Sequence, residues 1–179
     1  MRSTEHPRRG RTTQPAGPRT LALRWLARRP LAQVEMRKRL AGKGFGVVEI
    51  ERTIAELIDE RLLDDAALAL DFIVLRSARL RLGKRRLLCE LERRGVDGGV
   101  AERAYNQAVE SGAIDPESAL RDAVAARLKR ERDLGPGALR RVYNALLRAG
   151  FPAAGLYAEV KRQRDAFESS EYGYHDESS

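Results

Sequence analysis

One cysteine, two histidines and one tryptophan leave this 179-residue chain poor in the side chains that most protein chemistry requires. A lone Cys89 forms no intrachain disulfide, which fits a reducing cytoplasm. Set between Leu88 and Glu90 in a helical pattern, it reads as a small core filler and not as a nucleophile. His6 and His175 lie in polar tails, so no transition-metal site and no nucleophile–base–orienting group set can be assembled. No catalytic residue, metal ligand or cofactor is expected, and the chain is not expected to be an enzyme. The few aromatics, among them Trp25, Phe72, Tyr105, Tyr143 and Tyr157, fall mostly on apolar helix faces and point to core packing over base stacking. Long apolar runs are missing too. The longest, "AALALDFIVL", is far short of a membrane span, and the start "MRSTEHPRRGRTTQPAGPR" lacks the apolar region of a signal peptide. A soluble, cytoplasmic protein is expected.

What the chain does have is charge. Charged residues make up 34%, with a net +8, and only five of the 34 basic residues are lysine. A basic body implies an anionic partner such as nucleic acid or an anionic surface. The bland alternative is arginine written freely onto solvated faces by a GC-rich genome.

The chain also repeats a phrase. "LAGKGF" at 40–45, "LERRGV" at 91–96 and "LLRAGF" at 146–151 place their glycines 51 and 55 residues apart. Self-similarity at that period marks repeated supersecondary units. Gly44, Gly95 and Gly150 read as helix C′ residues, which reach the left-handed conformation without a Cβ penalty. The residue four before each glycine and the residue after it then form an apolar clasp: Leu40 with Phe45, Leu91 with Val96, Leu146 with Phe151. "LAGKGFG" looks glycine-rich, but it follows a helix and lacks the Lys-Ser/Thr ending of a phosphate-binding loop.

Apolar residues at i, i+3, i+4, i+7 spacing precede and follow each phrase, and a further helical pattern precedes each pair, so the expected fold is all-α. Asp64 and Asp115 are expected N-caps, with Pro116 at N1 and Thr20 capping the first helix. Three three-helix repeats in series, 20–62, 63–113 and 114–163, would form an elongated, curved rod. Residues 1–19 read as a disordered basic leader and 164–179 as an acidic, flexible tail.

Charge follows the repeat. The helices after the glycines are acidic: 47–60 carries −4 and 96–110 carries −2. That argues against a helix-turn-helix in which the second helix reads the major groove. The helices before the glycines each carry +3. They supply Arg37, Lys38 and Lys43; then Lys84, Arg85, Arg86, Arg93 and Arg94; then Arg140, Arg141 and Arg148. Together they would make a basic stripe along the rod, suited to tracking a phosphate backbone without reading bases. Basic residues near helix C-termini also compensate the dipole, which accounts for Lys43, Arg93, Arg94 and Arg148. "KRR" at 84–86 and "RR" at 140–141 are read as opening their helices, where positive charge is unfavourable, so they are the strongest candidates for a functional surface.

With its units laid out, the chain resembles the RecX regulatory proteins, modulators of the RecA recombinase. The resemblance covers roughly 20–163. It rests on "ALRWLARRPLAQVEMRKRLAGKGF", on "LLDDAALA" followed by "GKRRLLCELERRGV", and on "LRRVYNALLRAGF". The chain departs from the family pattern at Ala32, where Ser or Thr is common. The resemblance implies a non-enzymatic monomer that lies in the groove of the RecA filament on single-stranded DNA, contacting protomers and DNA. It would restrain filament extension, ATP hydrolysis, strand exchange and repressor cleavage in DNA repair and the SOS response, with the acidic helices turned toward RecA. Two other readings stay open: a non-specific nucleic-acid-binding protein (double-stranded DNA included) with no recombinase partner, and a helical scaffold for an acidic protein.

Overall fold

The structure, a computed structural model, describes residues 16–172, and among the described residues it contains nine helices and no strand. They run α1 (Pro18–Leu26), α2 (Gln33–Ala41), α3 (Val47–Asp59), α4 (Asp65–Leu80), α5 (Lys84–Arg93), α6 (Gly98–Glu110), α7 (Pro116–Leu128), α8 (Pro136–Arg148) and α9 (Ala153–Tyr172). Each consecutive three pack mainly on one another, and the all-helical repeat architecture read from the sequence is present. Three separate cores result. One holds Ala22, Met36, Leu40, Ile54 and Leu57; the next Ile73, Leu87, Leu91, Ala101 and Ala108; the last Val124, Leu146, Leu156 and Val160.

Local chemistry explains most helix starts. The Asp64 carboxylate accepts from the Ala66 and Ala67 amides, both at 2.9 Å, and Asp115 accepts from Glu117 ahead of Pro116 at N1. Helix α1 differs from expectation: its N-cap is Gly17 with Pro18 at N1, which leaves Thr20 inside the first turn. At the other end α9 is broken at Ala154 and Gly155 and then continues to Tyr172. The acidic stretch from 164 continues as helix as far as 172, and Phe167 packs against the third core. The expectations for 1–15 and 173–179 lie outside the described residues.

The glycine phrases are helix stops of one geometry. Phe45, Val96 and Phe151 donate their amides back to the carbonyls of Leu40, Leu91 and Leu146 at 3.5, 3.1 and 3.2 Å. The glycines between them have φ of 86°, 90° and 91°.

Two of those turns also join the units. A Cβ on Gly150 would lie 2.4 Å from the Arg86 amide nitrogen, and one on Gly95 would lie 2.9 Å from the Val34 Cβ. Each turn thus seats on the first turn of the middle helix of the preceding unit. Between units two and three the contact is backbone to backbone: the Gly83 and Arg85 amides donate to the Ala149 and Gly150 carbonyls at 2.8 and 3.3 Å. Between units one and two, Ala32 is buried at the α2 N-cap and enters the second core, so it offers no side-chain cap. The Gln33 amide is satisfied instead by the Asp65 carboxylate at 2.9 Å. Burial pushes the Asp65 carboxyl up, and the Gln33 amide works against that shift.

Gly83 separates close approach from backbone strain, because its φ of −79° suits any residue. In open space Gly83→Ala would stabilise by about 0.4–1 kcal/mol through the unfolded chain. Here the new Cβ would sit 2.4 Å from Gly150 and Phe151 backbone atoms, so destabilisation of roughly 2 kcal/mol is expected. Gly44→Ala, with nothing near its Cβ direction, should cost only the left-handed strain of about 1 kcal/mol. Urea midpoints that place Gly83→Ala above wild type would show that the junction is not tightly seated.

Candidate nucleic-acid interface

The basic helices α2, α5 and α8 run head to tail, since the C-terminal turn of each later one meets the N-terminus of the one before. This placement changes the reading of the "KRR" cluster. Lys84, Arg85 and Arg86 do open α5, but the negative end of α8 lies against that N-terminus and offsets its dipole. Arg140 and Arg141 do not open a helix at all. Helix α8 starts at Pro136, which places both in its second turn, where the dipole has largely faded. The dipole argument for a functional surface at these two clusters therefore fails; exposure and pairing decide instead.

Pairing removes several cations. Arg37 donates to Glu51 through Nε and Nη2 at 2.8 and 3.0 Å, tying α2 to α3. That hydrogen bond raises the Arg37 pKa and holds the Glu51 carboxyl below its ordinary value. Lys84 bonds Glu102 of α6 and lies 4.9 Å from the Tyr105 ring centroid. Burial, with the Glu102 charge behind it, pushes the Tyr105 hydroxyl up. Arg86 bonds Glu90 at 2.9 Å, and Arg141 bonds Glu131 at 2.6 Å, which raises the Arg141 pKa. Arg94 stacks 4.9 Å from the Phe72 centroid, and Arg76 lies 5.2 Å from the same ring. The recurring contrast of basic and acidic helices is in part a set of ion pairs inside each bundle.

Six candidates remain exposed with no ion pair, side-chain hydrogen bond or ring contact among the described residues: Lys38, Lys43, Arg85, Arg93, Arg140 and Arg148. The junctions gather three of them. A groove of about 400 Å³ between units one and two is lined by Lys38, Arg93 and Arg94, with Arg29, Glu35 and Glu92. Burial works against the Glu35 carboxylate, yet bonds and charge from Arg29 and Arg39 hold its carboxyl below the usual range. A groove of about 450 Å³ between units two and three is lined by Arg86, Arg127 and Arg148, beside Glu90 and Leu82. It runs into a smaller one shared by Arg127, Arg141 and Arg148 with Glu131. Arg93 and Arg148 occupy the same place in their units, two residues before the glycine. Lys43, Arg85 and Arg140 line neither junction groove, and Arg37 and Lys84 are engaged within their bundles.

Arg29 and Arg127 were not among the residues singled out from sequence. Arg29 follows α1 in "ARRP" and Arg127 ends α7 in "ARLKRER", both outside the helices before the glycines, and only the junction brings each beside a glycine turn. Among the described residues no cluster of His, Cys, Asp or Glu is arranged to hold a metal, and no helix is long and apolar enough to cross a membrane. Spaced cations with unpaired heads, arranged at successive junctions, are chemically suited to contact phosphates spaced along a strand.

Comparison with known proteins agrees with this architecture. Residues 19–57 match the family described as RecX, first three-helix domain. The chain is 32% identical to a regulatory protein RecX of Corynebacterium efficiens over 81% of this chain and 70% of that one. It is 34% identical to one of Amycolatopsis mediterranei over 77% of this chain and 78% of that one. The crystal structure of RecX from Lactobacillus salivarius superposes with a TM-score of 0.68 at 19% identity, over 83% of this chain and 95% of that one. At that identity the superposition speaks for the fold alone.

The division into paired and unpaired cations is directly measurable. Lys38→Gln, Arg93→Gln and Arg148→Gln should each flatten the salt dependence of single-stranded DNA binding by about 0.7 for each phosphate left without its cation. Arg37→Gln and Lys84→Gln should lower the melting temperature slightly and leave that slope alone. Equal slopes across all five variants would show that the junction grooves do not touch phosphate.

Proposed function

The chain belongs to the RecX family of regulatory proteins, and on that premise we propose that it is a non-enzymatic regulator of the RecA recombinase. It acts as a monomer in the cytoplasm, lies along the groove of the RecA filament on single-stranded DNA, and restrains filament extension. ATP hydrolysis, strand exchange and repressor cleavage fall as a consequence. The observation that carries this reading is the repetition of unpaired cations at successive junctions of a three-unit rod. A protein that tracks a periodic polyanion inside a groove needs charge spaced along its length, not concentrated at one pocket. Three closed bundles joined by narrow contacts supply that spacing without a catalytic centre. The units are placed at 20–62, 63–113 and 114–163, although Leu63 packs in the first core and Ala32 and Ile114 pack in the second.

Direct competition for DNA is the alternative that the same grooves support, because unpaired arginines bind free strands as readily as strands inside a filament. Stoichiometry separates the two. Substoichiometric protein should slow ATP hydrolysis by a RecA filament on single-stranded DNA, since a filament grows at few places and one bridging molecule affects many protomers. Inhibition that appears only when the protein saturates free DNA would overturn the filament reading and leave simple competition.

A further inference from the structure

Two of the three glycine turns dock on a helix N-terminus, and among the described residues nothing packs against the third. The Gly95 turn seats on the first turn of α2 and the Gly150 turn on the first turn of α5. The Gly44 turn has the same φ and the same 6→1 amide bond, yet no heavy atom lies within 4 Å of its Cβ direction. At the second junction the carbonyls of Ala149 and Gly150 accept from the amides of Gly83 and Arg85, which open α5. Their counterparts, the Lys43 and Gly44 carbonyls, accept no hydrogen bond from the described residues.

Beside this open turn the surface is apolar where the other units are not. Counted from the glycine, Val47 and Val48 correspond to Gly98 and Gly99 in the second unit and to Ala153 and Ala154 in the third. Val47 is 76% exposed and Val48 is 85% exposed, the highest values among the large exposed apolar residues. Ala154, the counterpart of Val48, lines the cleft between units two and three together with Leu82, Gly83 and Lys84. A face of a repeat unit on which no neighbour packs is ordinarily polar. This one presents two valines next to a preformed helix-docking turn.

The two seats known from the internal junctions are taken in a second copy of the chain. The first turns of α2 and α5 are already occupied from within. Helix α8 begins fourteen residues ahead of its glycine, whereas α2 and α5 begin eleven ahead of theirs. The extra turn, Pro136 to Ala138, precedes the positions that correspond to the first turns of α2 and α5, so α8 does not open as they do.

Resting on the filament reading above, we propose that the Gly44 turn with Val47 and Val48 is a protein-docking surface that seats on the first turn of an α-helix of the recombinase protomer. The internal junctions define what it accepts: a helix N-terminus with a small N-cap residue, as Ala32 and Gly83 are, and, on the pattern of the second junction, with amides that donate to the turn's carbonyls. The negative end of α2 meets the positive end of the partner helix, as α8 meets α5. The turn's glycine is what permits the approach, so any side chain there blocks it.

Gly44→Asn tests the seat without emptying the fold. Asparagine tolerates the left-handed conformation, and nothing surrounds the Cβ direction in the free protein. Val47→Ser/Val48→Ser removes only exposed side chains. Cosedimentation of the full chain with RecA filaments, assembled on single-stranded DNA with a non-hydrolysable ATP analogue, gives the readout. Each variant should melt within a few degrees of wild type and bind free single-stranded DNA with unchanged affinity, while filament affinity falls at least tenfold. A photo-crosslinker at position 48 should mark the first turn of a RecA helix, and one at the exposed Tyr157 of unit three should not mark that helix. Undiminished filament binding by Gly44→Asn, or crosslinks outside a helix N-terminus, would overturn the docking proposal while leaving the filament reading in place. Failure of wild type to cosediment would overturn both. Self-association of wild type that Gly44→Asn abolishes would assign the turn to a second copy and overturn the proposal.

Discussion

The contact on which the rest of this structure depends is a glycine turn seated on a helix N-terminus. Each three-helix bundle closes its own core, so the units have little apolar surface left with which to hold one another. What holds them is a C-terminal turn brought close enough to meet backbone. The positive φ of Gly150 points its missing side chain straight at the Arg86 amide, and a Cβ there would force the two helices apart. The same contact aligns the dipoles of α8, α5 and α2, with the carbonyl end of one against the amide end of the next. That alignment lets α5 open on Lys84, Arg85 and Arg86 without the penalty that an isolated helix would carry.

Electrostatics in this chain has two layers that the net charge of +8 does not separate. One layer is internal: Arg37 with Glu51 and Lys84 with Glu102 join the middle helix of a unit to the helix after it. Partly exposed pairs of this kind contribute little to stability, on the order of 0–1 kcal/mol. Their larger effect is to choose which cations stay available. The other layer is what remains unpaired, and Lys38, Arg93 and Arg148 remain at the junctions because the glycine turns bring two bundles together there. Groove and fold therefore have one origin.

Sequence made the repeat legible because a helix stop is local chemistry. The bond from Val96 to Leu91 spans five residues, and the leucine, the glycine and the apolar residue that follow from it are all visible in one phrase. The junction was not legible, because Gly83 and Gly150 lie 67 residues apart, and nothing near either announces the other. Asp65 reads as a helix-start residue, yet its carboxylate serves Gln33 of the preceding unit. The site was half visible for the same reason. Counting charge by helix reaches Arg93 and Arg148, which line the junction grooves; it also counts Arg37, which is paired on another helix, and passes over Arg127, which lines a groove from outside the counted helices. The length of α9 was not legible, because the acidic run hides one apolar residue, Phe167, that reaches the third core.

Separate cores with narrow joints also determine how such a rod yields to load. Bending a single large core would expose leucines such as Leu57, Leu91 or Leu146, each at or near complete burial, at roughly 25 cal/mol for every Å² uncovered. Bending at a joint exposes none of them. It stretches two amide–carbonyl bonds at the second junction, and at the first it stretches one amide–carboxylate bond and uncovers only the small Ala32 side chain. Each such bond contributes about 1 kcal/mol net, so the joints give way long before the bundles do. A rod that follows a helical groove, as proposed above, must take the pitch of that groove. Placing the compliance in the joints lets the cation-lined grooves, which are built from the joints, adjust with it.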